Sequence, residues 1–285
     1  MTSKHYLLIL LITFLFGSSY PVGKIIFNNS VPPLLMGGLR MFLVFICLVP
    51  FIKIKIPEKK YWIPLLGFGF FMGFATNVFL NYSIYVADIL SPTIIGTQLS
   101  IPFGILFSSY FLKEKVSIKK WVLIIISFLG IIVIGFDPNL TNERSALILA
   151  IIMSFFYGGS QVFSRYLKEL DVTFTNAFMA LMGFVLLFVF SIMFEGNIKE
   201  NILEVNGASW LLIAHSAIFI SIISHMSFFY LYKTYTVQKV FPFYALFPIF
   251  GIFQTMIIFN EIPTLIILIG GIIVITSIYL LNKLD

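Results

Sequence analysis

Asn77 and Asn81 stand four residues apart inside an otherwise apolar run, "FMGFATNVFLNYSIYV", so on a helix they share one face, with Gly73 a turn earlier. An amide both donates and accepts hydrogen bonds, which suits a polar or zwitterionic solute; two spans can also be tied together by such a bond. Gln98 poses the same choice. It precedes Pro102 by four residues, and the proline's missing N–H frees a carbonyl near Gln98 and permits a kink. Pro248 is the near-symmetric proline later in the chain, so Pro102 and Pro248 are candidate hinges. Ser154, Tyr157, Gly158 and Gln161 form a helical stripe that Arg165 extends. Tyr157 could stack on a solute and Gln161 bond to it, while small residues in such a stripe also serve close helix packing. Tyr244 is a candidate of the same kind as Tyr157. His225 could carry protons, or act as a hydrogen-bonded structural group. Arg40 lies about 10 Å into its apolar run at 1.5 Å per residue. It could attract a carboxylate, pair with helix carbonyls or snorkel outward; the apolar Leu181 at its repeat position favours the structural role.

All these side chains lie in apolar surroundings, and the composition says what those are. The 285 residues are 60% hydrophobic and 11% charged, with 34 Phe and a mean hydropathy of +1.04. Soluble domains carry about a quarter charged residues, so lipid is the solvent that suits this chain. Ten runs are long enough to cross a hydrocarbon core as helices: 6–27, 33–52, 61–85, 89–112, 119–136, 146–167, 174–194, 209–232, 240–260 and 263–282. Only Asp88 separates the third from the fourth. The first run also resembles a signal peptide, but it continues to Phe27 and pairs with an internal segment, which favours retention.

With the N-terminus placed in the cytoplasm, the inner loops receive Lys4, Lys53, Lys55, Lys59, Lys60, Lys113, Lys115, Lys119, Lys120, Arg165, Lys168, Lys233, Lys239 and Lys283. The outer loops receive only Lys24, Arg144 and Lys199. Under the positive-inside rule this bias predicts both termini inside. The net charge of +6 is spread through short loops rather than along one stripe, which argues against nucleic acid as a partner. Cys47 is the sole cysteine, so neither a disulfide framework nor a cysteine zinc site can form.

The chain repeats itself. At an offset of 141, Phe14, Gly17, Ser19 and Val31 meet Phe155, Gly158, Ser160 and Val172, and Lys24 meets Arg165. At 147, Gly104 and Glu114 meet Gly251 and Glu261. Five spans per half inverts the second half relative to the first, a design that places a site near the midplane between the halves. The reading is an all-α membrane protein of ten transmembrane helices in two inverted five-helix repeats, 1–140 and 141–285. Glu114 and Glu261, at span ends, are expected to anchor loops.

The stretch "FLFGSSYPVGKIIFNNSVPPLLMGGLRMFLVF", with "QLSIPFGILFSSYFLKE" and "VFPFYALFPIFGIFQTMIIFNE", is similar to the EamA family of the drug/metabolite transporter superfamily. In that family's pattern an acidic residue at a helix end is followed by glycines about 9 and 16 positions on; here Glu114 keeps Gly130 and Glu261 keeps Gly270. Gln98 and the "GLR" of Arg40 also match the pattern. The resemblance covers essentially the whole chain. It implies a central cavity and the movement of amino acids or related metabolites, often outward, across a bacterial inner membrane by a monomer or homodimer. No cofactor is expected.

An importer or facilitator of another metabolite is the alternative within that class. An intramembrane enzyme lacks support, because no acidic residue lies deep in a span and His225 has only helix-face serines, such as Ser221, near it in sequence. A channel would show a filter motif, which is not visible either. The chain also lacks a phosphate-binding loop ending in Lys-Ser or Lys-Thr.

Overall fold

Lipid offers no partner to a backbone N–H or C=O, so an apolar chain crossing it must satisfy both within helices. The computed structural model describes residues 3–52, 57–224, 227, 231, 235, 243 and 246–284, and it is helical throughout its spans. Among the described residues nine helices are long and apolar enough to cross a membrane, with one shorter apolar helix. They are α1 Ser3–Asn28, α2 Pro33–Phe51, α3 Lys59–Val86, α4 Leu90–Phe111, α5 Ile118–Gly135, α6 Arg144–Tyr166, α7 Val172–Phe194, α8 Gly207–Ser224, the shorter α9 Phe247–Phe259, and α10 Leu265–Lys283. The division at Asp88 is real, since Ala87 and Ile89 are extended. The expected ends of the eighth run at 232 and the ninth at 240 fall outside the described residues.

Polar side chains share the core, and large apolar side chains face outward. Thr13, Ser83, Ser154 and Ser191 are fully buried, while Ile63, Leu211, Leu265 and Ile272 are exposed. Such a surface is stable only against hydrocarbon.

Hydrogen bonds define two faces. Lys24 donates to the carbonyls of Ala87 and Tyr85, Glu143 accepts from Asp88, Glu261 accepts from Leu90, and Thr264 donates to Asp137. These loops form the distal face. The proximal face holds the Glu114–Arg165 pair and the Tyr61–Glu169 bond.

The repeat is visible in local geometry. Lys113 and Asn260, 147 residues apart, both take left-handed backbone at φ 55° and 56°, ending α4 and α9 one residue before Glu114 and Glu261. Ser117 and Thr264, again 147 apart, cap α5 and α10 by accepting from Lys120 and Ile267. Gly69–Ala75 in α3 and Ser216–Ser224 in α8 are both wide π-helical segments, starting 147 residues apart.

Each half interlocks with the other through glycine. A Cβ on Gly17 of α1 would lie 2.7 Å from the Gly251 nitrogen of α9; one on Gly158 of α6 would lie 2.7 Å from the Gly104 nitrogen of α4. The first helix of each half thus crosses the fourth helix of the other at backbone contact. Gly130 of α5 and Gly270 of α10 meet in the same way, each Cβ within 2.9 Å of the other's carbonyl oxygen. These are the two glycines the family pattern retains, and their role is the α5–α10 crossing. Gly207, by contrast, has nothing within 4 Å.

Gly158→Ala is therefore expected to destabilise the detergent-solubilised protein by about 1–3 kcal/mol, the usual range for overpacking. Gly207→Ala should leave the melting temperature unchanged or slightly higher. Equal melting of the two variants would contradict the crossing.

Candidate functional site

A cavity of about 290 Å³ lies between the halves. Its inner walls come from Phe16 and Tyr20 on α1, Arg40 on α2, Met72, Thr76 and Asn77 on α3, Thr97 and Ser100 on α4, Tyr157 and Gln161 on α6, and Ile220–Ile222 on α8. Toward the proximal face it reaches Leu48, Phe68, Ser164, Val172 and Thr173. Both π-helical segments border it. A π turn leaves carbonyls out of the regular ladder, and side chains here take them up: Thr76 donates to Phe71, Ser221 to Ser216 and Ser224 to Phe219, each five residues back.

Asn77 continues this pattern. Its Nδ2 donates to Met72 at 3.0 Å and Gly73 at 2.8 Å, which turns its Oδ1 toward Arg40, whose Nη2 donates to it. Arg40 is 8% exposed, and its Nε has no protein partner among the described residues. Tyr20 donates to or accepts from Thr97 at 2.6 Å and stacks on Phe247.

The sequence-predicted residues separate. Arg40, Asn77, Tyr157 and Gln161 line the cavity. Asn81 does not: it donates to the Pro33 carbonyl at 3.0 Å, tying α3 to the start of α2. Gln98 is 1% exposed beside the cavity wall, and neither amide atom has a partner among the described residues. Pro102 follows the 3₁₀ turn Thr97–Leu99 that interrupts α4, and Pro248 sits in the first turn of α9. Ser154 bonds to the Gly96 carbonyl and Gly158 packs on Gly104, so these two members of the α6 stripe serve packing. His225 and Tyr244 lie outside the described residues. Sequence reasoning missed Phe16 and Tyr20, although a signal existed, because the 141 offset maps them onto Tyr157 and Gln161.

Among the described residues the contacts on the two faces differ in kind. On the proximal face Arg165 and Glu114 pair at 3.0 Å with side chains 63% and 42% exposed, a class of contact worth about 0–1 kcal/mol. On the distal face carboxylates cap helix N-termini. Glu195 accepts from the Leu34 and Leu35 amides at 2.7 and 2.9 Å, Glu261 from Leu90 at 3.0 Å, and Glu143 from Asp88. Charge-assisted bonds at partly buried helix N-termini are stronger than exposed pairs. The glutamates at span ends thus anchor loops, and the cavity is shut distally.

Burial raises the Glu143 and Glu261 carboxyls above the ordinary glutamate value, and the neighbouring charges of Asp88 and Glu143 respectively add to this. A carboxyl so raised holds its proton more tightly in the folded face than in open solvent. Its contribution to stability is complete below the ordinary value and fades as pH rises through the raised one. The melting temperature is expected to fall as pH rises above the ordinary value of 4.5. A Glu143→Gln, Glu261→Gln double variant should show a flatter profile, and an unchanged slope would contradict this account.

The comparisons with known proteins agree with this arrangement. The profile of the EamA-like transporter family matches residues 3–136 and again 144–283. An "Uncharacterized transporter YoaV" of Bacillus subtilis (strain 168) is 28% identical over 67% of this chain and 68% of its own length. A "Probable amino-acid metabolite efflux pump" of Escherichia coli (strain K12) is 22% identical over 98% of this chain and 95% of its own. A solved crystal structure shares the fold at a TM-score of 0.64 with 14% identity, covering 98% of this chain and 96% of that one. The two matched halves, the helical bundle and the cavity between them make this chain a multi-pass membrane protein of the EamA-like transporter family.

Proposed function

We propose that this chain is a secondary transporter that exports small metabolites, amino acids or related compounds, by alternating access around the cavity between its halves. The observation that carries the reading is the cavity's asymmetry: it reaches the proximal face and is closed distally by capped helix ends. In an inverted repeat the mirror-image state costs little to build, because each half can adopt the other's packing. The halves 1–140 and 141–285 would rock about the glycine crossings, with the π-helical segments and the turn before Pro102 absorbing the bend. The positive-inside bias supports a proximal face in the cytoplasm of a bacterium and both termini inside. Export is then the direction in which this conformation loads. The names of the Escherichia coli and Salmonella typhimurium relatives support amino-acid metabolites as cargo. Monomer and homodimer are both compatible with a cavity built from one chain.

Purified protein in proteoliposomes should show saturable flux of labelled amino acids, accelerated by unlabelled amino acid on the opposite side. Gln161→Ala should raise KM several-fold, as expected for loss of one hydrogen bond of about 0.5–1.5 kcal/mol. Absence of saturable flux across a broad panel of amino acids and related metabolites would overturn the proposal.

A further inference from the structure

Among the described residues, every side chain lining the cavity is neutral except one. Serines, threonines, amides and tyrosines provide their polar surface, Met, Phe and aliphatic side chains provide the rest, and Arg40 supplies the only charge among them. No carboxylate is among the described lining residues; Glu195 is engaged at the start of α2 by Leu34 and Leu35. Arg40 thus sets a positive field on the described walls, in apolar surroundings where screening is weak.

The guanidinium is held ready rather than satisfied. Of its five N–H donors, one is bound by Asn77, and the Nε hydrogen has no protein acceptor among the described residues. Asn77 is fixed with its oxygen toward the cation, because its own amide nitrogen is bound to Met72 and Gly73; flipping it would present N–H groups to a cation. A purely structural arginine at this depth would have its donors covered by protein, since an unpaired buried charge costs several kcal/mol. The guanidinium fork matches a carboxylate in two parallel bonds. The walls beyond it, Phe16, Phe68, Met153, Met179 and Phe247, leave room of about 290 Å³ for an apolar body, a volume at the small end for ligand sites.

We infer that the cavity holds its solute by a carboxylate on Arg40, oriented by Asn77, and that it provides no counter-charge for an ammonium group. A plain carboxylic acid with an aromatic-sized apolar body is then held as well as the matching amino acid, and an amino amide without the carboxylate is rejected. The inference rests on the cavity being the transport site, and it deepens that reading by naming the group recognised.

The test is equilibrium binding to the purified full chain with three probes: 3-phenylpropionate, L-phenylalanine and L-phenylalaninamide. The two carboxylates should bind within about threefold of each other, and the amide roughly tenfold or more weakly, as loss of a charge-assisted contact implies. Arg40→Gln should weaken both carboxylates by a similar factor, and Arg40→Lys should restore part of the loss. Equal binding of the amide, rejection of the plain acid, unchanged binding in Arg40→Gln, or no binding of either carboxylate would each overturn the inference. If Arg40→Gln does not fold, the three-probe comparison on the natural chain decides alone. Carboxylates that bind without being carried would sink the transport reading and spare this one. Saturable flux of solutes lacking a carboxylate, indifferent to Arg40→Gln, would do the reverse.

Discussion

A guanidinium in the middle of an apolar bundle is the constraint around which this molecule is arranged. Placing arginine at the centre of a membrane helix costs roughly 2.5–3.5 kcal/mol even on the most lenient scale, so the protein must supply a partner. It does so with one amide, Asn77, whose orientation is fixed by two carbonyls at the end of the π-helical segment of α3. That widened segment is thus what aims the cation into the cavity. Its counterpart in α8 borders the same space and carries Ser224 at the repeat position of Asn77. The two halves share a backbone plan and differ in charge. A near-symmetric scaffold therefore carries an asymmetric site.

The scaffold depends on close backbone approach. Lipid supplies no hydrophobic drive between helices, so association comes from packing and internal hydrogen bonds. The glycine crossings of α1 with α9, α4 with α6 and α5 with α10 bring backbones together where a Cβ on Gly17, Gly158, Gly130 or Gly270 would collide. They join the halves at close backbone contact, with Val274 and Ile134 packed beside the α5–α10 crossing. The distal carboxylate caps bias this jointed body toward the conformation described, and the exposed pair on the proximal face opposes opening only weakly.

Much of this was legible in the sequence because the membrane imposes simple rules. Apolar runs must be helices, loop charges set their sense, and matched glycines disclosed the repeat before any geometry was known. What lay beyond reach was which way each polar side chain turns. Asn77 and Asn81 do share a face, but the cavity ends between them where α2 closes against α3 at Gly37 and Pro33. Gln98 is rotated from the cavity by the 3₁₀ turn at Thr97–Leu99, whose tighter winding gives Thr97 and Ser100 the lining positions instead. Arg40 was poised between two roles until Asn77 was seen to leave its Nε uncovered. Applying the 141 offset to Tyr157 and Gln161 would have found Phe16 and Tyr20.

Alternating access requires that one cavity serve both sides of the membrane in turn. Cys47 is the only cysteine, so a Cys47→Ser background carrying Ser19→Cys places a single thiol on the cavity wall. In sealed vesicles of known orientation, a membrane-impermeant maleimide should reach that thiol from the proximal side readily and from the distal side more slowly. A cavity solute should slow both. Labelling from one side only, whatever the solute and pH, would contradict alternating access.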